Sequence, residues 1–209
     1  MVSRATYHHG DLRSALITAG IGLARDGGPQ AVVLREVTRA VGVAPNSAYG
    51  HFATLTALKK AVAEQARGDM AEAMAADLDA VAANEPDDPA EAAKTYLIEV
   101  GRAYVRFALA EPGLFRTAMG GDPTGLRVPA EKDDDGRLKP KVFLLRALTR
   151  LSEAGCMRPG DTERAVLASW ATVHGLSMML LDLLPQLSDE QKDAAVGGVL
   201  DVLVAGLSS

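Results

Sequence analysis

The sequence predicts an all-α protein, a three-helix head followed by a larger helical bundle. Three observations carry that prediction. Apolar residues recur three and four apart along most of the chain, the period of helices with one buried face. Capping and breaking signals separate these stretches at short intervals. Residues 34–52, LREVTRAVGVAPNSAYGHF, read as two short helices turned about a glycine.

The first helix is expected over residues 12–26, with Leu12, Ala15, Leu16, Ala19 and Leu23 on one face. Asp11 is its expected N-cap, and Gly27, Gly28 and Pro29 end it. Ahead of it lies a polar lead-in, Tyr7, His8, His9 and Gly10. The two histidines invite a metal reading, but no nearby Cys or acidic cluster completes a ligand set, so no metal is expected.

Leu34, Val37 and Val41 stripe the second helix. Gly42 stands where the chain needs a positive φ, Val43 returns to the core, and Pro45 opens a third helix where its missing N–H costs nothing. Ala48 and Phe52 share the inner face of that helix, leaving Asn46, Ser47, Tyr49, Gly50 and His51 pointing outward. Small residues at the crossing, Val37, Ala40, Val43 and Ala48, let the two helices approach closely. This is a helix-turn-helix, whose second helix suits the DNA major groove and whose outward side chains suit base edges and phosphates.

Thr54 caps a long fourth helix expected to reach about residue 83, with Leu55, Leu58, Val62, Ala66, Met70, Met74, Leu78 and Val81 buried. It runs from head into body until Asn84, Glu85, Pro86 and Asp87 break it. Asp88, Pro89, Ala90 and Glu91 then form a capping box for a helix presenting Leu97, Val100, Tyr104, Phe107 and Ala108. Pro112 and Gly113 start a short helix bearing Leu114, Phe115 and Met119. Residues 120–137 are rich in Gly, Pro and Asp and read as a loop. In it Glu131, Asp133, Asp135 and Gly136 resemble the start of a calcium loop, but Val142 stands where a bidentate glutamate is needed, so a solvated acidic loop is expected.

Residues 139–153 form the next amphipathic helix, through Phe143, Leu144, Leu148 and Leu151. Asp161 caps a helix running to about Leu184, apolar almost all round from Val166 and Leu167 through Trp170, Val173 and Leu176 to Leu181. Ser188 and Gln191 supply a capping box for the last helix, which keeps Val196, Val199, Leu200, Leu203 and Leu207 on one face. Gly197 and Gly198 inside it call for close helix contact, since glycine there costs about 1 kcal/mol. A helix greasy on both sides is most simply covered by a second copy of the chain.

Length and composition agree. The 209 residues are 48% hydrophobic and 23% charged, a globular balance with room for a sizeable core. A single cysteine, Cys156, forms no internal disulfide and is expected to be a small buried hydrophobe. Asp182 interrupts the richest apolar run, no run is expected to be of bilayer length, and the N-terminus lacks a signal-peptide core, so a cytoplasmic protein is expected. Net charge is −5, but residues 1–67 carry eight Lys/Arg against four Asp/Glu while the remainder carries 14 against 23. A basic head on an acidic body suits a protein of which one end meets a polyanion. No Ser/His/Asp order, phosphate-cradling glycine loop or paired-carboxylate pattern stands out, so no catalysis and no cofactor are expected.

The order of these elements, the spacing of LREVTRAVGVAPNSAYGHF, and the pair His51-Phe52 after Tyr49 resemble the TetR/AcrR family of transcriptional repressors. The lead-in YHHGDLR and the C-terminal SWATVHGLSMML resemble its subgroup with a Trp…His-Gly signature, here Trp170, His174 and Gly175. The resemblance implies a DNA-binding domain over residues 1–53 and an effector-binding and dimerisation domain over 54–209. It implies that Arg35 contacts phosphate or a base, that Asn46 and Ser47 after Pro45 read the groove, and that Tyr49 and His51 hold phosphates. The chain departs from the common pattern at Val33 and Ala44, where capping Thr and Ser are usual, at Gly50, and at Leu55, where a phosphate-binding Lys is frequent. Lys59 and Lys60 supply part of the missing charge.

The expected protein is a homodimer, paired through its two C-terminal helices, that binds a palindromic operator and is released by a small, largely apolar effector. The expected effector site is lined by Tyr104, Phe107, Phe115, Met119, Phe143, Trp170, His174 and Met178. The alternative is a helical small-molecule-binding protein whose head no longer reads DNA.

Overall fold

Helices follow one another in the predicted order: α1 (His9–Ala31), α2 (Leu34–Val41), α3 (Pro45–Tyr49), α4 (Leu55–Ala82), α5 (Pro89–Ala110), α6 (Pro112–Met119), α7 (Pro140–Glu153), α8 (Thr162–Met178), and α9 (Asp189–Leu207). A π-helical turn, Met179–Leu183, extends α8. The computed structural model describes residues 9–82, 85–120, 138–158 and 160–208, and among these there is no strand. Tyr7, His8 and the calcium-like stretch from Glu131 to Gly136 lie outside the described residues.

Punctuation in the sequence accounts for most boundaries. Gly28 takes φ 68° and ψ −167° inside α1, which breaks that helix where the Gly-Gly-Pro run predicts. Helical backbone begins at His9, however, so Asp11 lies within the first turn instead of capping it. Gly42 ends α2 in the left-handed region (φ 78°), with its N–H and that of Val43 closing on Arg39 and Thr38 carbonyls at 3.1 and 3.0 Å. Thr54 Oγ1 accepts from the Ala57 N–H at 3.1 Å, and the Ser188–Gln191 capping box is complete at 3.2 and 2.9 Å.

Of two further expected caps, one is half made and the other is not made. Asp88 accepts from the Ala90 N–H at 3.2 Å, but Glu91 reaches Lys94 instead of closing the box. Asp161 gives α8 no side-chain cap because its carboxylate is turned to Arg164, 3.3 Å away.

The chain divides into two compact units, Met1–Arg67 with Glu111–Asp122, and Gly68–Ala110 with Pro123–Ser209. In the first unit α2 and α3 form a helical corner, α2 lies on α1, and α6 docks along α1. Leu16, Val37, Ala48, Phe52, Leu58, Val62, Leu114 and Phe115 are buried there. Both ends of α6 are tied down: Arg25 pairs with Glu111 at 3.0 Å, and Arg67 Nη1 donates to the Ala118 carbonyl at 2.7 Å. Between them α6 comes so close that a Cβ on Gly113 would lie 2.3 Å from the carbonyl oxygens of Ala24 and Arg25.

The second unit is built around α5, against which α7, α8 and α9 pack. Leu97, Val100, Phe107, Phe143, Leu148, Leu151, Val173, Leu180 and Leu200 form its core. The close helix contact in it is not at Gly197 and Gly198, as the sequence suggests. It falls at Gly101, where a Cβ would lie 2.5 Å from Leu200 Cδ2, while Gly197 faces only the Arg102 guanidinium and Gly198 meets nothing within 4 Å. Cys156 is half-buried and free.

Among the described residues one helical run, Thr162–Leu183, is by length and composition alone long and apolar enough to cross a bilayer. The expectation that no run reaches that length is therefore corrected: a single charged residue, Asp182, is too little to interrupt the apolar run by composition. One face of this run, through Ala165, Val166, Ser169, Val173, Leu176, Ser177 and Leu180, is packed inside the second unit.

Candidate nucleic-acid interface and effector site

The helix-turn-helix owes its corner to three local events. Gly42 reverses the chain, Pro45 starts α3 at its first position, and Ala48, fully buried, sits against α2 with Val37. Thr38 joins this interior although it is polar, because its hydroxyl donates to its own helix, to the carbonyls of Leu34 (2.9 Å) and Arg35 (3.2 Å). The sequence stripe of Leu34, Val37 and Val41 missed it, since only the satisfied hydroxyl makes Thr acceptable there. Phe52 is buried and carries the Arg13 guanidinium over its ring, 5.2 Å from the centroid, which binds α1 to the end of the corner.

What remains outside is the candidate reading surface. Arg35, Pro45, Asn46, Ser47 and Tyr49 are exposed, Tyr49 by 54%, and His51 and Lys59 are half-buried. All seven residues expected to meet DNA belong to the first unit. Neither helix of the corner has a side-chain cap, since Val33 and Ala44 both adopt extended backbone but carry no acceptor. Replacing Ala44 by Ser fits that backbone and supplies the acceptor. The Ala44→Ser variant is expected to gain about 0.5–2 kcal/mol of stability. A denaturant midpoint no higher than that of the unchanged chain contradicts it.

The candidate effector residues divide. Tyr104, Phe107, Phe143, Trp170, His174 and Met178 belong to the second unit. Phe115 and Met119 belong to the first, where Phe115 is wholly buried on α6. Sequence order gave no hint of this, because α6 lies between body helices in the chain yet docks on α1.

Three of the six form a polar cluster on α5 and α8. The Tyr104 hydroxyl lies 3.1 Å from His174 Nδ1. Trp170 and His174, one turn apart on α8, stack with ring centroids 5.3 Å apart and planes inclined by 22°. Burial pushes the Tyr104 pKa well above the ordinary phenol range and lowers that of His174 below its usual 6.5. Both groups are therefore uncharged at neutral pH. Among the described residues no group of His, Cys, Asp and Glu is arranged to hold a metal ion.

Residues 97–203 match the family described as tetracyclin repressor-like, C-terminal domain, just over half of the chain. The chain belongs to the TetR family. It is a transcription regulator with DNA-binding and ligand-binding functions, and not an enzyme. Regulators of the TetR family are dimeric and bind DNA and small molecules. No curated protein matches the chain.

Solved structures of the same fold span nearly its whole length. One is a protein of unknown function from Rhodococcus sp. RHA1 (24% identity, 99% of this chain and 100% of that one, TM-score 0.71). Another is a single-substitution variant of TetR from Acinetobacter baumannii AYE in complex with minocycline (21% identity, 96% of each chain, TM-score 0.61). A third is RolR in complex with resorcinol (20% identity, 92% of this chain and 87% of that one, TM-score 0.59). This TetR-family chain shares their all-α architecture, with a helix-turn-helix near the N-terminus and a helical C-terminal region.

Proposed function

We propose that this protein is a homodimeric repressor that binds a palindromic operator through α2 and α3 and leaves it when a small, largely apolar effector enters the body. The observation that carries the reading is the exposed row Pro45, Asn46, Ser47 and Tyr49 on α3, with Arg35 beside it on α2, held on a buried corner. Arg35 and Tyr49 engage phosphate or base edges, Asn46 and Ser47 read the groove, and His51 and Lys59 hold the backbone. Two such helices about one turn of DNA apart meet successive major grooves. The helix α4 runs unbroken from Leu55 to Ala82 and contributes residues to both compact units, which supports its role as the link between effector and head.

Pairing through α8 and α9 is supported by what they leave uncovered. Leu167, Met179, Leu183 and Val202 are exposed apolar side chains, and Gly175, Gly198 and Gly206 have open space where a Cβ would stand. A facing copy would bury these apolar groups and use the glycines for close approach. The double variant Leu183→Glu/Val202→Glu puts charge into that face. Its dimer constant is expected to weaken at least about a hundredfold, roughly 2.7 kcal/mol. Sedimentation at micromolar concentration reads this directly, and a dimer that persists unchanged places the interface elsewhere.

The reading itself is tested by fluorescence anisotropy with duplex DNA from upstream of the protein's own gene, at two salt concentrations. Sequence-selective binding that weakens with salt supports it. Binding indifferent to sequence supports the alternative, a ligand-binding protein with a silent head.

A further inference from the structure

The second unit combines an uncharged interior with one polar aromatic cluster. Among the described residues it buries no Lys, Arg, Asp or Glu, and its buried polar side chains are Ser169 and Ser177. Ser177 donates to its own helix at the Val173 carbonyl, 2.7 Å away, whereas the Ser169 hydroxyl has no partner. A carboxylate or ammonium entering such an interior meets no buried residue of opposite charge among the described residues, so its lost hydration goes uncompensated. An uncharged molecule escapes that penalty.

The cluster adds hydrogen-bonding groups. The Tyr104 hydroxyl and His174 Nδ1, 3.1 Å apart, share one hydrogen bond in which the imidazole tautomer sets which group donates. Tyr104 and His174 thus form a hydrogen-bonded couple, flanked by the flat Trp170–His174 stack. Neutral hydrogen-bonding groups beside aromatic faces match a ligand that is itself flat, uncharged and oxygen-bearing.

We infer that the effector is an uncharged aromatic molecule carrying a hydroxyl or carbonyl oxygen, which lies beside the Trp170–His174 stack and hydrogen-bonds at the Tyr104–His174 couple. This rests on the reading of the body as an effector site. Ring contact supplies affinity, the Tyr104–His174 couple supplies selection for the oxygen, and the uncharged interior rejects ions of the same shape.

The test uses the intact dimer and its one tryptophan, Trp170, whose emission reports this site alone. Four probes of matched size are titrated at neutral pH: p-cresol, toluene, 4-methylbenzoate and 4-methylbenzylammonium. A saturable change with p-cresol is expected, at least about tenfold weaker with toluene, from loss of a hydrogen bond worth about 1.4 kcal/mol in that ratio. The two ions are expected to give none. In Tyr104→Phe and His174→Gln, checked for fold by circular dichroism, the p-cresol preference over toluene is expected to collapse toward unity.

The inference is overturned by 4-methylbenzoate or 4-methylbenzylammonium binding as tightly as p-cresol, by equal binding of toluene, by silence with all four probes, or by a preference that survives both substitutions. Anisotropy with duplex DNA in the same samples separates the two readings. If p-cresol binds selectively yet DNA stays bound, the ligand class stands and the release mechanism fails. If DNA is bound but no probe is, the regulator stands and the ligand class fails.

Discussion

Substituting Arg35 and Tyr49 together by Ala is expected to lower operator affinity at least about a hundredfold. Both side chains are exposed on the helix-turn-helix and support nothing in its core, so their loss leaves the corner built on Val37, Ala48 and Phe52 intact. A good direct contact to DNA contributes about 1–3 kcal/mol, and a dimer loses each contact twice. Removing Arg35 also removes one cation per head, so the slope of affinity against salt should become shallower by about two per dimer. Operator titrations at several salt concentrations check both effects. Unchanged affinity shows that α2 and α3 are not the reader.

The largest effect on stability is expected from a residue far from any DNA contact. In Gly113→Ala the new Cβ would sit 2.3 Å from two backbone carbonyl oxygens on α1, a separation that no side-chain rotation relieves. The helix α6 must lift, loosening Leu114 and Phe115 and straining the Arg25–Glu111 and Arg67–Ala118 ties at its ends. Such overpacking costs about 1–3 kcal/mol. At this chain length each kcal/mol lowers Tm by roughly 2–4 °C. Gly22→Ala is the control, since it lies exposed inside α1 with nothing within 4 Å. It should gain up to about 1 kcal/mol from helix propensity alone. Thermal melts of the two variants should therefore move in opposite directions, and equal shifts contradict the close α1–α6 approach.

This pair of glycines also marks what the sequence can and cannot say. Gly42, Pro45, Thr54 and Ser188 act within a few residues of themselves, through a positive φ, a missing N–H or a side-chain cap, so their roles are legible in order along the chain. Gly101 and Gly113 act through Leu200 and the α1 carbonyls, partners roughly a hundred residues away in sequence. Nothing local distinguishes them from Gly197 and Gly198, which looked like contact glycines and face little within the protomer. The π-helical turn at Met179–Leu183 has no local signature either, since its residues would equally continue α8.

The candidate sites were legible to different degrees for the same reason. The reading surface is one short amphipathic segment, and its outward residues follow from helical phase once Ala48 and Phe52 are taken as inward. The effector site is assembled from distant helices. Aromatic content marks out Tyr104, Trp170 and His174, but the hydrogen bond joining positions 104 and 174 is a tertiary fact. Phe115 shows the converse: its type suited a pocket, and the docking of α6 on α1 put it in the first unit.

The central claim is that two copies of this chain read DNA together, and selection from a random duplex library followed by the mass of the selected complex tests it most directly. The account predicts an enriched inverted repeat, its half-sites about one helical turn apart, bound by two protomers. Enrichment of no sequence, or of a single half-site held by one protomer, would contradict it.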